Sequence, residues 1–191
     1  SYQPAEVEEP TAYVPTGGST ANNAISPSTG IKGPRTRRTA IKGNGQDVFT
    51  IMVYMCGTDL ESDYGMATAD LNEMLYATIG SKVNVIVETG GTAKWNNNVI
   101  KSSTNQRYQV TSKGLKLLSG HIGKKPMTDP ATLQSFISYC AKNYPANRYA
   151  LIMWDHGGGS LSGYGYDQVF PNSGSMSISE MNSALTGAGV S

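Results

Sequence analysis

Charge is scarce in this chain. Asp, Glu, Lys and Arg make up 15% of its 191 residues, and 15 basic against 14 acidic side chains leave a net charge of +1. Phosphate binding needs clustered Lys and Arg, so nucleic acid is excluded as the main partner. Long apolar runs are missing too. None approaches the roughly 20 residues that span a bilayer, and the polar start at Ser1 has no apolar core of a signal peptide. An exported form is therefore expected to have lost its signal already, or to carry it outside this sequence. Cysteine is nearly absent. Cys56 and Cys140 are too far apart in sequence for a metal motif or a C-x-x-C redox pair. Both fall inside patterns that read as buried elements, where a thiol acts as a small hydrophobe, so no disulfide is expected.

What is present divides in two. Residues 1–46 are rich in Pro, Thr, Ser, Gly and Asn, with an acidic start (Glu6, Glu8, Glu9) and a basic end (Lys32, Arg35, Arg37, Arg38, Lys42). Such a segment buries too little apolar surface to fold alone. It is expected to be an extended N-terminal tail or pro-segment, lying along the folded part or a partner chain. Residues 47–191 carry the folding signals. Val48–Met55 is near-continuously apolar and ends at Cys56-Gly57-Thr58-Asp59. That continuity predicts a strand covered on both faces, as in a parallel sheet.

Met66, Ala69, Leu71, Met74, Leu75 and Ile79 approximate a 3.6-residue period stopped by Gly80, which predicts a helix. Val83–Val87 predicts a second buried strand closed by Gly90-Gly91. Arg107–Val110 alternates, as a hairpin or edge strand does. Asp129 and Pro130 open a helix with Leu133, Phe136, Ile137 and Cys140 on its core stripe. Tyr149–Trp154 predicts a third buried strand, ending in Asp155-His156-Gly157-Gly158-Gly159. Ser177 and Glu180 form a capping box for a last helix, and Val190-Ser191 would begin a further strand. The order gives an α/β fold with a mostly parallel sheet.

Sites in such sheets lie at the carboxyl ends of strands. His156 stands at one of these ends, with solvent access and a tunable charge. Glycine beside it lets backbone approach a ligand and leaves an N–H free to donate. A base next to a free amide is what acyl transfer requires, proton transfer plus an oxyanion donor. The same residues also suit an ordinary turn. Gly157–Gly159 could also be read as a phosphate cradle, a weak reading, since no G-x-G-x-x-G or G-x-x-x-x-G-K-[ST] pattern follows a strand.

Three blocks in order, Ile51–Glu61 (IMVYMCGTDLE), Asp129–Lys142 and Tyr149–Gly159 (YALIMWDHGGG), resemble the clostripain-like cysteine peptidases over about residues 47–191. The resemblance implies a caspase-like fold, a mostly parallel sheet flanked by helices, incomplete in this chain and completed by a second one. It implies His156 as general base and Gly157 as an oxyanion amide. The nucleophilic cysteine would follow the next strand, on a heavy chain from the same precursor. This chain would be the light chain of a secreted or cell-surface bacterial endopeptidase cleaving peptides after Arg or Lys. Ser191 is neither, so a basic residue follows it or processing differs. Calcium is a possible family cofactor. Asp59 and Glu61 fall short of the roughly 6 to 8 oxygen ligands it takes and are expected on the solvated surface. Asp155 is expected to bond loop amides, Trp154 to pack in the core, His121 to be exposed, and Arg35, Arg37 and Arg38 to form a solvated linker or a self-directed pro-segment. Two alternatives remain: a non-catalytic peptidase-like binding module, and a nucleotide-binding α/β domain using Gly157–Gly159.

Overall fold

The computed structural model describes residues 46–190. The expectations for the N-terminal tail, including Arg35, Arg37 and Arg38, lie outside them. Five strands form one sheet: β1 (Phe49–Cys56), β2 (Val83–Gly90), β3 (Gln106–Thr111), β4 (Gly114–Ser119) and β5 (Arg148–Trp154). Their spatial order is β4-β3-β2-β1-β5. β1 pairs in parallel with both β2 and β5, while β3 pairs antiparallel with β2 and with β4. Four strands thus point one way and β3 alone opposes them. The alternation at Arg107–Val110 belongs to the first arm of this hairpin.

Alternate residues of β1 enter two cores, as the period of two requires. Met52, Tyr54 and Cys56 face α3 (Pro130–Asn143) and α5 (Ile178–Gly187), meeting Leu133, Phe136, Ile137, Cys140 and Ala184. Val53 and Met55 face α2 (Met66–Tyr76), meeting Ala67 and Leu71. Burial on both sides explains the unbroken apolar run of this strand. Helix starts follow their local chemistry. Asp129 accepts a hydrogen bond from Ala131 N–H with Pro130 in the first turn. Ser177 and Glu180 close both bonds of the predicted capping box.

Three expectations are corrected. A short helix, α1 (Thr58–Ser62), follows β1 directly where only a polar strand end was expected. α2 stops at Tyr76, because Ala77 turns to an extended ψ of 140°, so Ile79 and Gly80 lie beyond it. β5 is an edge strand among the described residues. Leu151 and Met153 pack on the α3 side, while Ile152 remains 45% exposed on the other. There a cavity of about 290 Å³ opens between the end of α2 and the strands, lined by Ile51, Val53, Met74, Ile79, Val85 and Ile152. Val190 packs against the α3–α5 core, and the strand expected to begin there lies outside the described residues.

Candidate active site

The parallel pairing of β5 with β1 brings two strand ends together, Asp155-His156 after β5 and Gly57-Thr58-Asp59 after β1. His156 is exposed, and its Nε2 lies 2.8 Å from Asp59 Oδ1. Tyr166 donates its hydroxyl to the same oxygen at 2.6 Å. Its ring stacks on the imidazole, centroids 5.6 Å apart and planes 18° apart. The Tyr166 and His156 hydrogen bonds hold the Asp59 carboxyl down at about 2. Partial burial and the Asp59 charge push the Tyr166 phenol up to about 12.

The backbone that carries these side chains is tightly specified. Thr58 is buried and has φ +47°, a left-handed conformation uncommon for a β-branched residue and costly by about 1–2 kcal/mol. Its N–H donates to Gly91 O at 3.1 Å and its carbonyl accepts from Thr92 Oγ1 at 2.8 Å. These bonds aim Asp59 across the rim.

On the other side, Asp155 accepts from the backbone N–H of His156 at 2.5 Å and of Tyr166 at 3.1 Å. It bonds loop amides, as expected, and burial pushes its carboxyl up to about 6. Cys56 donates its thiol to Tyr166 O at 3.3 Å. Gly165 leaves space for Asp155, since a Cβ there would sit 2.0 Å from Asp155 Oδ2. Tyr166 is therefore gripped at both its N–H and its carbonyl.

Gly157 faces Tyr164 across an isolated bridge. The bonds on either side run from Gly158 N–H to Gly163 O and from Gly165 N–H to His156 O, each 2.9 Å. In an antiparallel pair this makes Gly157 and Tyr164 the non-hydrogen-bonded partners, so the Gly157 N–H points out of the ladder. It has no acceptor among the described residues. Nothing lies within 4 Å of where a Gly157 Cβ would stand. The glycine run makes no phosphate cradle: Gly158 N–H is engaged, and Gly159 opens α4 (Gly159–Ser162), a helix of only 4 residues.

The other sequence candidates fall elsewhere. Cys56 and Cys140 are free, fully buried thiols. Burial pushes Cys140 up to about 12 and Cys56 well above the ordinary thiol range. Trp154 is half-buried against the α2 core, with its indole N–H on Asp70 at 2.6 Å. His121 is exposed in the loop after β4, at the opposite sheet edge from β5.

Glu61 is a correction, being fully buried where a solvated side chain was expected. Its oxygens accept from Thr68 N–H, Thr68 Oγ1 and Asn96 N–H at 2.5–2.8 Å. With Asp59 committed to His156 and Tyr166, these two acids do not fit a calcium site. No group of three or more metal-ligating side chains occurs among the described residues. Asp59 as a partner of His156 was readable only through the adjacency of β1 and β5. Tyr166 had no signal, since it lies in an aperiodic loop.

The model of the clostripain family matches residues 53–190. The chain belongs to the clostripain family. Clostripain of Hathewaya histolytica is 56% identical over 34 residues, which are 18% of this chain and 6% of that protein. A secreted C11 cysteine protease from Bacteroides thetaiotaomicron, solved with an irreversible peptide inhibitor, aligns with TM-score 0.56 and 19% identity. That alignment covers 73% of this chain and 39% of the solved one, and at such identity the likeness concerns the fold. The chain thus spans well under half the length of either relative. Within this clostripain-family sheet, His156 and Gly157 occupy the rim at the end of β5.

Proposed function

We propose that this chain supplies the general base and an oxyanion amide of a cysteine endopeptidase whose nucleophile lies on a separate heavy chain. The observation that carries the reading is the unused N–H of Gly157 beside an exposed His156 at a parallel strand end, in a chain of the clostripain family. The burial of Cys56 and Cys140 supports it, since a buried thiol with a raised pKa makes a poor nucleophile.

In this mechanism His156 takes the proton from the heavy-chain thiol. The thiolate attacks the scissile carbonyl carbon, and the carbonyl π electrons move to oxygen. Gly157 N–H and the cysteine's own N–H hold that oxyanion. Collapse re-forms the carbonyl and expels the amine, which leaves with the proton from His156. A thioester acyl-enzyme remains, and water, deprotonated by His156, hydrolyses it. The substrate is a peptide with Arg or Lys before the scissile bond, in the manner of the family the sequence resembles. Residues 47–191 form the light chain, residues 1–46 a tail or pro-segment, and the protein works outside a bacterial cell. No helix among the described residues is long and apolar enough to cross a membrane.

The exposed edge of β5, with Ile152 and the adjoining cavity, offers a place for the heavy chain to complete the sheet. Intact mass under denaturing conditions, with labelling by an Arg-directed cysteine-reactive probe, tests the reading. A second, larger fragment that takes the label is expected. A single unlabelled 20.3 kDa species, with no partner chain from the same gene, would favour the non-catalytic binding module.

A further inference from the structure

The contact between His156 and Asp59 fixes more than a distance. An ionised carboxylate has only acceptors to offer, so the ring nitrogen 2.8 Å from Asp59 Oδ1, Nε2, must carry a proton. In the neutral ring the basic lone pair is then on Nδ1. Turning the ring over to exchange the nitrogens would break the Asp59 bond.

Asp59 is held in turn. Tyr166 donates to the same oxygen, and the buried, left-handed Thr58 fixes the backbone one residue before it. Tyr166 is no loose cover. Its N–H is on Asp155 and its carbonyl accepts from Cys56. The next two residues tie the loop to the segment before α3 and to the turn after β2: Asp167 accepts from Met127 N–H at 2.8 Å, and Gln168 N–H donates to Gly91 O at 3.0 Å. The low Asp59 pKa agrees with this geometry, since both neighbours stabilise the carboxylate.

We infer that Asp59, seconded by Tyr166, is a positioning residue that locks His156 in the Nε2–H tautomer and leaves Nδ1 as the nitrogen that exchanges a proton with the nucleophile. The catalytic consequence rests on the peptidase reading; the tautomer does not. Asp155, the adjacent acid, bonds loop amides, and the partner of the His156 ring stands 97 residues upstream, on a different strand end.

The test combines spectroscopy and kinetics on the full-length protein labelled with ¹⁵N-histidine. His156 signals are assigned by their loss in His156→Gln. Wild type is expected to show the Nε2–H tautomer for the neutral ring. Asp59→Asn, which can donate as well as accept, should give a mixed or Nδ1–H pattern. With a peptidyl-Arg substrate its kcat should fall by about 10²-fold or more, the scale of general base catalysis, while KM changes less than about 2-fold, as expected of a residue that acts through His156. Asp59→Glu should recover part of the loss. Tyr166→Phe keeps the stacked ring and should produce a smaller fall than Asp59→Asn. Unchanged tautomer and unchanged kcat in Asp59→Asn would overturn the inference. A wild-type protein without peptidase activity, whose His156 tautomer still depends on Asp59, would uphold the positioning role and defeat the peptidase reading instead.

Discussion

Arg107 Nε lies 2.6 Å from Glu88 Oε2, with side-chain exposures of only 8% and 0%. The guanidinium also donates to Ser135 Oγ and lies over the Tyr139 ring, 4.6 Å from its centroid. This pair joins the hairpin strand β3 to the end of β2 and to α3. Removing one member of a buried ion pair strands the other charge. Arg107→Met is expected to cost about 3–5 kcal/mol at about pH 9, where Glu88, raised to about 7 even beside Arg107, is ionised in the wild type. Because Glu88 can escape by taking a proton, the loss should shrink toward pH 5. Urea denaturation at both pH values checks it, and an equal loss at both would show that the ionised carboxylate is not the cause.

The wild-type stability curve has its own signature. Burial raises the Glu88 carboxyl to about 7 against Arg107's opposing pull, and raises Asp155 to about 6. A raised acid stabilises the fold most below its unfolded value and loses that contribution as pH climbs through its folded value. Stability should therefore decline between about pH 4 and 7. Asp59, lowered to about 2, has the opposite sign and loses its contribution as pH falls through that value. Glu88→Gln should flatten the decline between pH 5 and 7. A pH series of chemical denaturation midpoints would reveal it, and an unaltered slope would count against Glu88 as the source.

Gly91 and Cys56 make a second close pair. Gly91 has φ +71°, and a Cβ there would stand 2.2 Å from Cys56 Sγ. Gly91→Ala is expected to cost about 1–2 kcal/mol for the left-handed backbone, and about 1–3 kcal/mol more for the overlap. Cys56→Ala removes the sulfur, so in the double variant the overlap part should vanish and the backbone part remain. Additive losses in a double-mutant cycle would mean that the sulfur moves aside without cost.

Much of this architecture was legible in the sequence because its signals are local. The run Val48–Met55 announced β1 by being apolar without alternation, and both helix caps, Asp129 and Ser177, were readable from residues within one turn. His156 and Gly157 could be placed at a strand end by the same logic. What stayed hidden depends on pairings remote in sequence. Tyr149–Trp154 reads as a buried strand because its run is apolar without a break, yet the sheet order leaves β5 at an edge, with Leu151 and Met153 packed and Ile152 exposed. Asp59 and Glu61 are two residues apart on one short helix, and similar acids by type. One turns to the rim and His156, the other inward to Thr68 and Asn96, and only the tertiary frame separates them.

Asp167 tests how the loop carrying Tyr166 is held. It is 1% exposed and accepts from Met127, Val169 and Phe170 N–H, all within 3.0 Å. Asp167→Ala leaves the buried Met127 N–H and the part-buried Val169 N–H without their acceptor, while Phe170 N–H keeps the Asp167 carbonyl at 3.2 Å, and should cost about 1–3 kcal/mol. Because the bonds fasten the loop to the segment before α3, hydrogen exchange should accelerate most over residues 163–172. Uniform acceleration across β1 and β2 instead would mean that the carboxylate stabilises the whole domain and has no local hold on the site.

Ile152 offers a test of the proposed completion of the sheet by a second chain. Here its side chain is 45% exposed beside the cavity lined by Ile51, Val53 and Val85. A Lys there can keep its ammonium in water with its stem along the apolar surface. Ile152→Lys should thus change the stability of this unit by less than about 1 kcal/mol. If a heavy chain completes the sheet along β5, the same substitution would leave a charge in its interface. It should weaken co-purification of the two chains and lower peptidase activity, with His156 and Asp59 untouched. Melting of the unit alone, alongside the yield of the two-chain form, separates the two effects. Normal assembly of Ile152→Lys would mean that the heavy chain docks elsewhere, because a lysine on a covered apolar strand face could not be accommodated without loss.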